Sequence, residues 1–138
     1  MKIETVKARR SLSKILTFLG QQDKEVSVLF ADDEIIREIN KKYLDRDKPT
    51  NVISFSMNEG EYGSVNTTIL GDIVISADTA LRESKMVGLT LEEEIDYLMI
   101  HGVLHLLGYE HEYDENNALK MKKIECEVFF KLNKYFIE

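Results

Sequence analysis

The chain has 138 residues, of which 43% are hydrophobic and 31% charged, and it contains one proline and seven glycines. This composition is typical of a globular protein, so we expect residues 1–138 to form a single domain and exclude collagen-like, low-complexity and disordered chains. The formal net charge of -7 argues against a protein that coats nucleic acid by charge alone, although a local basic groove is compatible with it.

Several features favour a reducing compartment and no membrane association. Cys126 is the only cysteine, so an intramolecular disulfide is excluded. The amino-terminal segment has basic residues but lacks an apolar core of the signal-peptide type. The longest apolar run, residues 97–109, contains two histidines and is shorter than the roughly 20 residues that a bilayer-spanning helix needs. We therefore expect a cytoplasmic protein.

The spacing of apolar residues predicts the elements in the first part of the chain. Residues 2–6 alternate apolar and charged side chains, which predicts a short strand, and the next apolar residues recur at helical spacing. Residues 25–31 are β-branched and apolar, which predicts a strand. Residues 32–43 predict a helix that Asp32 or Asp33 caps.

A polar turn over residues 44–50 holds the only proline and leads to two further strands, at residues 51–57 and 69–76. Residues 77–88 predict a helix, and a long amphipathic helix closes the chain from residue 114 onwards. Because strands and helices are interspersed, we predict an α+β (α/β-like) fold with a small mixed β-sheet flanked by helices.

The helix predicted between residues 88 and 114 is the most informative about function. Thr90 and a glutamate three residues on form a capping box, and the helical pattern runs to Leu107 before Gly108 supplies a left-handed stop. His101 and His105 are four residues apart, so their Cβ atoms lie about 5–6 Å apart on one face. The rest of this helix is largely apolar, and a buried imidazole without a partner costs about 1–3 kcal/mol.

The third and last histidine of the chain, His111, follows the glycine stop, and the turn can bring it over the same helix face. Three imidazoles on one point suit zinc. The spacing H-x-x-x-H-x-x-G-x-x-H matches the skeleton of the metzincin proteases, but Gly102 stands where those proteases have their catalytic glutamate. The sequence therefore predicts a distantly metzincin-like site, with one zinc per chain bound by His101, His105 and His111.

Two other interpretations of the histidine cluster stay open. The histidines can be clustered by chance, as core or surface side chains. A zinc ion can also be purely structural, with Glu110, Glu112 or Asp114 closing the position that three histidines leave for water.

Three stretches of the sequence together carry a family signature: HGVLHLLGYEHE at residues 101–112, NKKYLDRDKPTNVISF at 40–55 and LGDIVIS at 70–76. In content, order and spacing they resemble the YbeY family of bacterial endoribonucleases, over about residues 25–130. The resemblance implies zinc on the three histidines and a zinc helix packed on the sheet. It also implies single-strand-specific cleavage of RNA, not DNA. The implied roles are maturation of the 3′ end of small-subunit ribosomal RNA and ribosome quality control, and the implied partner is the ribosomal small subunit.

Two positions depart from the family pattern. Glu110 stands where the family generally has aspartate, which keeps a carboxylate on a longer arm. Leu44 stands where the family has its functional arginine. Arg46 is the nearest guanidinium, and we take it as the candidate catalytic residue that compensates.

The loop around Arg46 is the predicted RNA contact. Four basic residues stand against two aspartates there, although a solvated loop fits the composition equally well. The residues are Lys41, Lys42, Arg46 and Lys48 against Asp45 and Asp47. The spacing of the residues assigns no general base.

Two competing functions stay open. One is a zinc-binding ribosome-assembly factor without catalysis, and the other is a zinc peptidase, against which Gly102 argues.

Overall fold

The computed structural model describes residues 4–57, 68–109 and 115–134, in which five helices and three strands are formed. The helices are α1 (Thr5–Phe18), α2 (Asp33–Leu44), α3 (Ala77–Val87), α4 (Leu91–Leu106) and α5 (Glu115–Asn133). The strands are β1 (Glu25–Ala31), β2 (Val52–Ser56) and β3 (Ile69–Ser76). Within the described ranges, no helix combines the length and the apolar character needed to cross a membrane.

The three strands form one mixed sheet in the order β1-β3-β2, with β3 parallel to β1 and antiparallel to β2. Side chains alternate between its two faces, as a pleated strand requires. Ile73 and Ile75 belong to the main core, which α4 shares, whereas Val74 packs in a smaller cluster with Ile36 of α2. The predicted small mixed sheet flanked by helices is therefore confirmed.

Helix α4 is the central element of the fold. Ten of its sixteen residues are buried, and it contacts β2, β3, α1, α3 and α5. Its amino terminus is the predicted capping box, in which Thr90 accepts from the backbone of Glu93 and the Glu93 side chain accepts in return. Its other end is followed by Gly108 at φ 98, the left-handed stop that the sequence predicts.

The strand predicted for residues 2–6 is wrong where the structure describes it. Glu4 is the extended residue before α1, and Thr5 and Val6 already belong to that helix. Ile15 and Leu16 are the buried residues of α1, and the helix packs on α4 and α5. The helical period of the longer segment therefore prevails over a five-residue alternation at its start. The other predicted strands and helices are present, with ends that differ by a few residues.

Helix α4 approaches the sheet closely at Gly102. A Cβ atom at this position would lie 2.9 Å from Cδ1 and 3.1 Å from Cγ2 of Ile73, a fully buried residue of β3. The Gly102 carbonyl also accepts a hydrogen bond of 3.1 Å from the Ser54 hydroxyl on β2. A glycine is therefore needed here because the helix lies directly on the side chains of the sheet.

We expect Gly102→Ala to destabilise the protein although alanine is the better helix former. Helix propensity favours alanine by about 1 kcal/mol, but overpacking against Ile73 costs about 1–3 kcal/mol. Ile73→Val removes the Cδ1 atom and should reduce the cost of Gly102→Ala by about 0.5 kcal/mol or more in a double-mutant cycle. Urea unfolding of the four proteins measures this coupling. A Gly102→Ala protein more stable than the parent would contradict the close approach.

Candidate functional site

Tyr97, His101 and His105 follow one another at four-residue intervals along one face of α4. The Nε2 atoms of His101 and His105 are 3.0 Å apart. The two rings meet edge to face, with centroids 4.5 Å apart and an interplanar angle of 77°. The structure thus brings two of the three predicted ligands together, with one nitrogen of each within hydrogen-bond distance of the other.

The other nitrogen of the His101 ring faces helix α5. Its Nδ1 lies 3.1 Å from Oε2 of Glu125, a residue that is only 4% exposed. The Tyr97 hydroxyl is hydrogen-bonded to the same carboxyl group. Burial alone would raise the pKa of Glu125, but the hydrogen bonds from His101 and Tyr97 hold it below its ordinary value. Burial, together with the Glu125 charge, raises the pKa of Tyr97.

His111 lies outside the described residues, as do Glu110, Glu112 and Asp114. Among the residues that the structure does describe, no group of three or more histidines, cysteines or acids is arranged to hold a metal ion. The three-histidine site therefore stays a prediction, for which the structure describes two of the members.

A cleft of about 590 Å³ opens beside the two histidines. Its lining includes His101 and His105 of α4, Leu44 at the end of α2, and Arg46 and Lys48 of the loop that follows α2. Leu44 and the candidate catalytic residue Arg46 therefore line one cavity with the two histidines.

The other two residues of the predicted basic segment, Lys41 and Lys42, belong to the last turn of α2 and do not line the cleft. The ammonium group of Lys41 is 4.0 Å from Asp47, an aspartate that Arg37 also binds at 2.7 Å. The ammonium group of Lys42 lies 5.2 Å from the centroid of the Tyr43 ring. Of the four predicted basic residues, Arg46 and Lys48 therefore line the cleft, whereas Lys41 and Lys42 do not.

Asn40, which the sequence analysis did not single out, holds this loop in place. It is 2% exposed, and its side-chain nitrogen donates to the Lys48 carbonyl at 2.9 Å. Its own carbonyl accepts from the backbone nitrogen of Arg46 at 3.2 Å. Asp45, between them, has a left-handed backbone with φ 55. The backbone of both cationic cleft residues is therefore anchored to α2.

Glu83, a half-buried acid of α3, contacts the lining of the cleft, and its charge acts on the buried Glu94 of α4. Asn51, which lines it, donates to Oε1 of Glu83 at 2.9 Å. Glu94 on α4 is 5% exposed, and burial, with a smaller contribution from the Glu83 charge, raises its pKa to about 7. Between the ordinary pKa and this value the folded protein holds a proton that the unfolded chain releases, so stability decreases as pH rises through that window.

Glu94→Gln should remove this loss. One pKa unit corresponds to about 1.4 kcal/mol, so we expect the variant to gain roughly 1–3 kcal/mol over the parent at pH 8, with the gain vanishing towards pH 4. Urea unfolding between pH 4 and pH 8 measures the difference. Glu127→Gln, which removes a carboxylate from an exposed position of α5, is the matched control. A Glu94→Gln effect that does not vary with pH would contradict the assigned burial effect.

Comparison with known proteins identifies the family to which the chain is similar. A family model described as Endoribonuclease YbeY matches residues 1–133. A protein named Endoribonuclease YbeY from Syntrophus aciditrophicus is 50% identical over 137 residues, covering 98% of this chain and 85% of the relative. The Aquifex aeolicus protein of the same name is 44% identical over 133 residues, covering 96% and 87%.

A solved structure agrees at the level of the fold. The solution structure of TM1509 from Thermotoga maritima matches with a TM-score of 0.63 at 24% identity, covering 91% of this chain and 78% of the other. The family model spans nearly all of the chain and the named relatives share up to half of its residues. The chain belongs to the Endoribonuclease YbeY family.

Proposed function

We propose that this protein is a zinc-dependent endoribonuclease that cleaves single-stranded RNA at the cleft between α4 and the loop after α2. Membership in a family of endoribonucleases supports the reaction class, a hydrolase acting on phosphodiester bonds. The proposal adds the metal, the strand preference and the place of cleavage. It also adds the substrate that the resemblance implies, the 3′ end of small-subunit ribosomal RNA, with the ribosomal small subunit as partner in the cytoplasm.

The observation that carries the proposal is the convergence of the His101 and His105 Nε2 atoms, 3.0 Å apart, on the wall of the cleft. Two nitrogen ligands at 2.0–2.1 Å from a tetrahedral zinc ion lie about 3.3 Å apart, so a small separation of the two rings from their 3.0 Å hydrogen-bond distance would admit this metal. His111 is the proposed third ligand. Three histidines leave one coordination position open, as catalytic zinc sites do.

The cleft also has the charge that RNA requires. Arg46 and Lys48 line it, and cationic side chains in a groove attract a nucleic-acid backbone. When bound, zinc supplies Lewis-acid polarisation of a phosphoryl oxygen or a water molecule of lowered pKa. The arginine can also grip a phosphate through two parallel hydrogen bonds, which a lysine cannot do. No general base is assigned.

The peptidase alternative finds no support at Gly102. A side chain there would be directed at Ile73 of the sheet, which is not among the residues that line the cleft, so this position is unsuited to a catalytic glutamate. Removing zinc distinguishes the assembly-factor alternative from the proposed enzyme. If the metal-free protein folds and binds RNA, and no RNA is cleaved with or without zinc, the protein is a binding factor.

The first test of the proposal is metal content. We expect about one zinc per chain, because three histidines and a water complete a tetrahedral site. Replacing His101, His105 or His111 by alanine should each lower zinc affinity sharply, as measured by competition with a chromophoric chelator. Full zinc retention by any two of these variants would exclude the site.

The second test is the compensation by Arg46. Arg46→Ala should lower the rate of single-stranded RNA cleavage by about 10²–10³-fold while zinc content stays unchanged, because positive charge is lost where negative charge develops. Arg46→Lys should recover part of the rate, and Leu44→Arg should partly rescue Arg46→Ala. Lys42→Ala is the matched control, since it removes a cation outside the cleft. Cleavage by Arg46→Ala at the parent rate would exclude the compensation and leave Lys48 as the remaining cleft cation.

A further inference from the structure

Glu125 is a buried acid. Its position in the sequence does not explain its role, and it is not one of the proposed zinc ligands. It lies on α5, 24 residues after His101, and is 4% exposed. Burying a carboxylate is unfavourable unless hydrogen bonds compensate it. Here its partners are the imidazole of His101 and the hydroxyl of Tyr97, which are successive residues on one face of α4. The acid thus directs its hydrogen bonds at the histidine face.

This contact determines which nitrogen of His101 carries the proton. A neutral imidazole has one N–H and one lone pair, and an ionised carboxylate can only accept hydrogen bonds. With Oε2 of Glu125 at 3.1 Å from Nδ1, the proton belongs on Nδ1. The lone pair then lies on Nε2, the nitrogen that is 3.0 Å from Nε2 of His105. The carboxylate therefore presents the correct atom of His101 to the point where the two rings converge.

Glu125 is itself held in one orientation. The Tyr97 hydroxyl bonds to its carboxyl group, and the neighbouring Lys122 places its ammonium group 5.2 Å from the centroid of the Tyr97 ring. Val128 and Phe129, in the next turn of α5, are buried in the main core. The carboxylate is consequently fixed by both helices, and it fixes the plane of the His101 ring in turn.

We propose that Glu125 is the positioning residue of the metal centre: its carboxylate, held by Tyr97, locks His101 in the Nδ1–H tautomer and orients Nε2 towards the metal. The inference rests on the proposed function, since it takes His101 as a zinc ligand. Carboxylates that accept from the second nitrogen of a ligand histidine strengthen metal binding in general, and their loss typically costs 10–100-fold in affinity.

The test compares two substitutions at Glu125 with a buried acid elsewhere. Glu125→Gln keeps an acceptor oxygen and removes the charge, whereas Glu125→Leu removes both. We expect zinc affinity, measured by chelator competition, to fall about tenfold in the first and towards a hundredfold in the second. Long-range ¹H–¹⁵N spectra of the zinc-free proteins should show the His101 proton on Nδ1 in the parent and lost from that position in Glu125→Leu. Asp96→Asn, a change at a buried acid of α4 that is hydrogen-bonded to Ser11 and Asn133, should alter neither readout.

Parent-like zinc affinity in Glu125→Leu, or an unchanged His101 tautomer in that protein, would overturn the inference. An equal loss of affinity in Asp96→Asn would do so as well, because the effect would then reflect any buried charge. If Glu125→Leu does not fold, the tenfold loss in Glu125→Gln decides the question. A parent protein that binds no zinc at its histidines would instead overturn the proposed function, and the inference with it.

Discussion

The packing of α4 on the sheet is the constraint on which the rest of the structure depends. Gly102 lets the helix backbone lie directly on Ile73, and the Ser54 hydroxyl ties the same turn to β2. A helix held at this point has a fixed rotation about its axis. The face with Tyr97, His101 and His105 is therefore turned towards the cleft and α5, and the ten buried residues of α4 fill the space among the sheet and the other helices.

This central position makes the polar groups of α4 costly. Burial raises the pKa of Asp96 to about 6, although hydrogen bonds from Ser11 and Asn133 act in the opposite direction. Burial likewise raises the pKa of Glu94. At His101 the same cost is offset by a carboxylate from α5. The helix thus contains two acids whose pKa is raised and a histidine whose carboxylate partner has a lowered pKa, and this difference marks the histidine face as the chemically specialised one.

The sequence predicted those features that depend on residues close to one another along the chain. Thr90 and Glu93 predicted the start of α4, Gly108 its end, and the spacing of His101 and His105 their convergence. It failed over residues 2–6, where a short alternation carries less weight than the helical period that follows.

Glu125 and Asn40 could not be predicted, because their roles arise from contacts between separate elements. Nothing in the local pattern of α5 relates Glu125 to a histidine 24 residues earlier. A buried asparagine near the end of a helix likewise does not indicate that it binds the Lys48 carbonyl eight residues later. Tyr97 was accessible to sequence reasoning, since it precedes His101 by one helical repeat of four residues.

A chain with a net charge of -7 can present a cationic cleft because its charges are paired locally. Arg37 and Lys41 neutralise Asp47 on the outer side of the loop, and the hydrogen bond from Arg37 is the main reason that the pKa of Asp47 is lowered. The aspartate is thereby engaged away from the two cations of the cleft. The hydrogen bonds of Asn40 to the backbone of Arg46 and Lys48 anchor both residues of the cleft lining. An RNA strand would meet the field of this cleft, which acts over about one Debye length of 8–10 Å at physiological salt. The net charge of the whole chain therefore does not decide whether RNA binds.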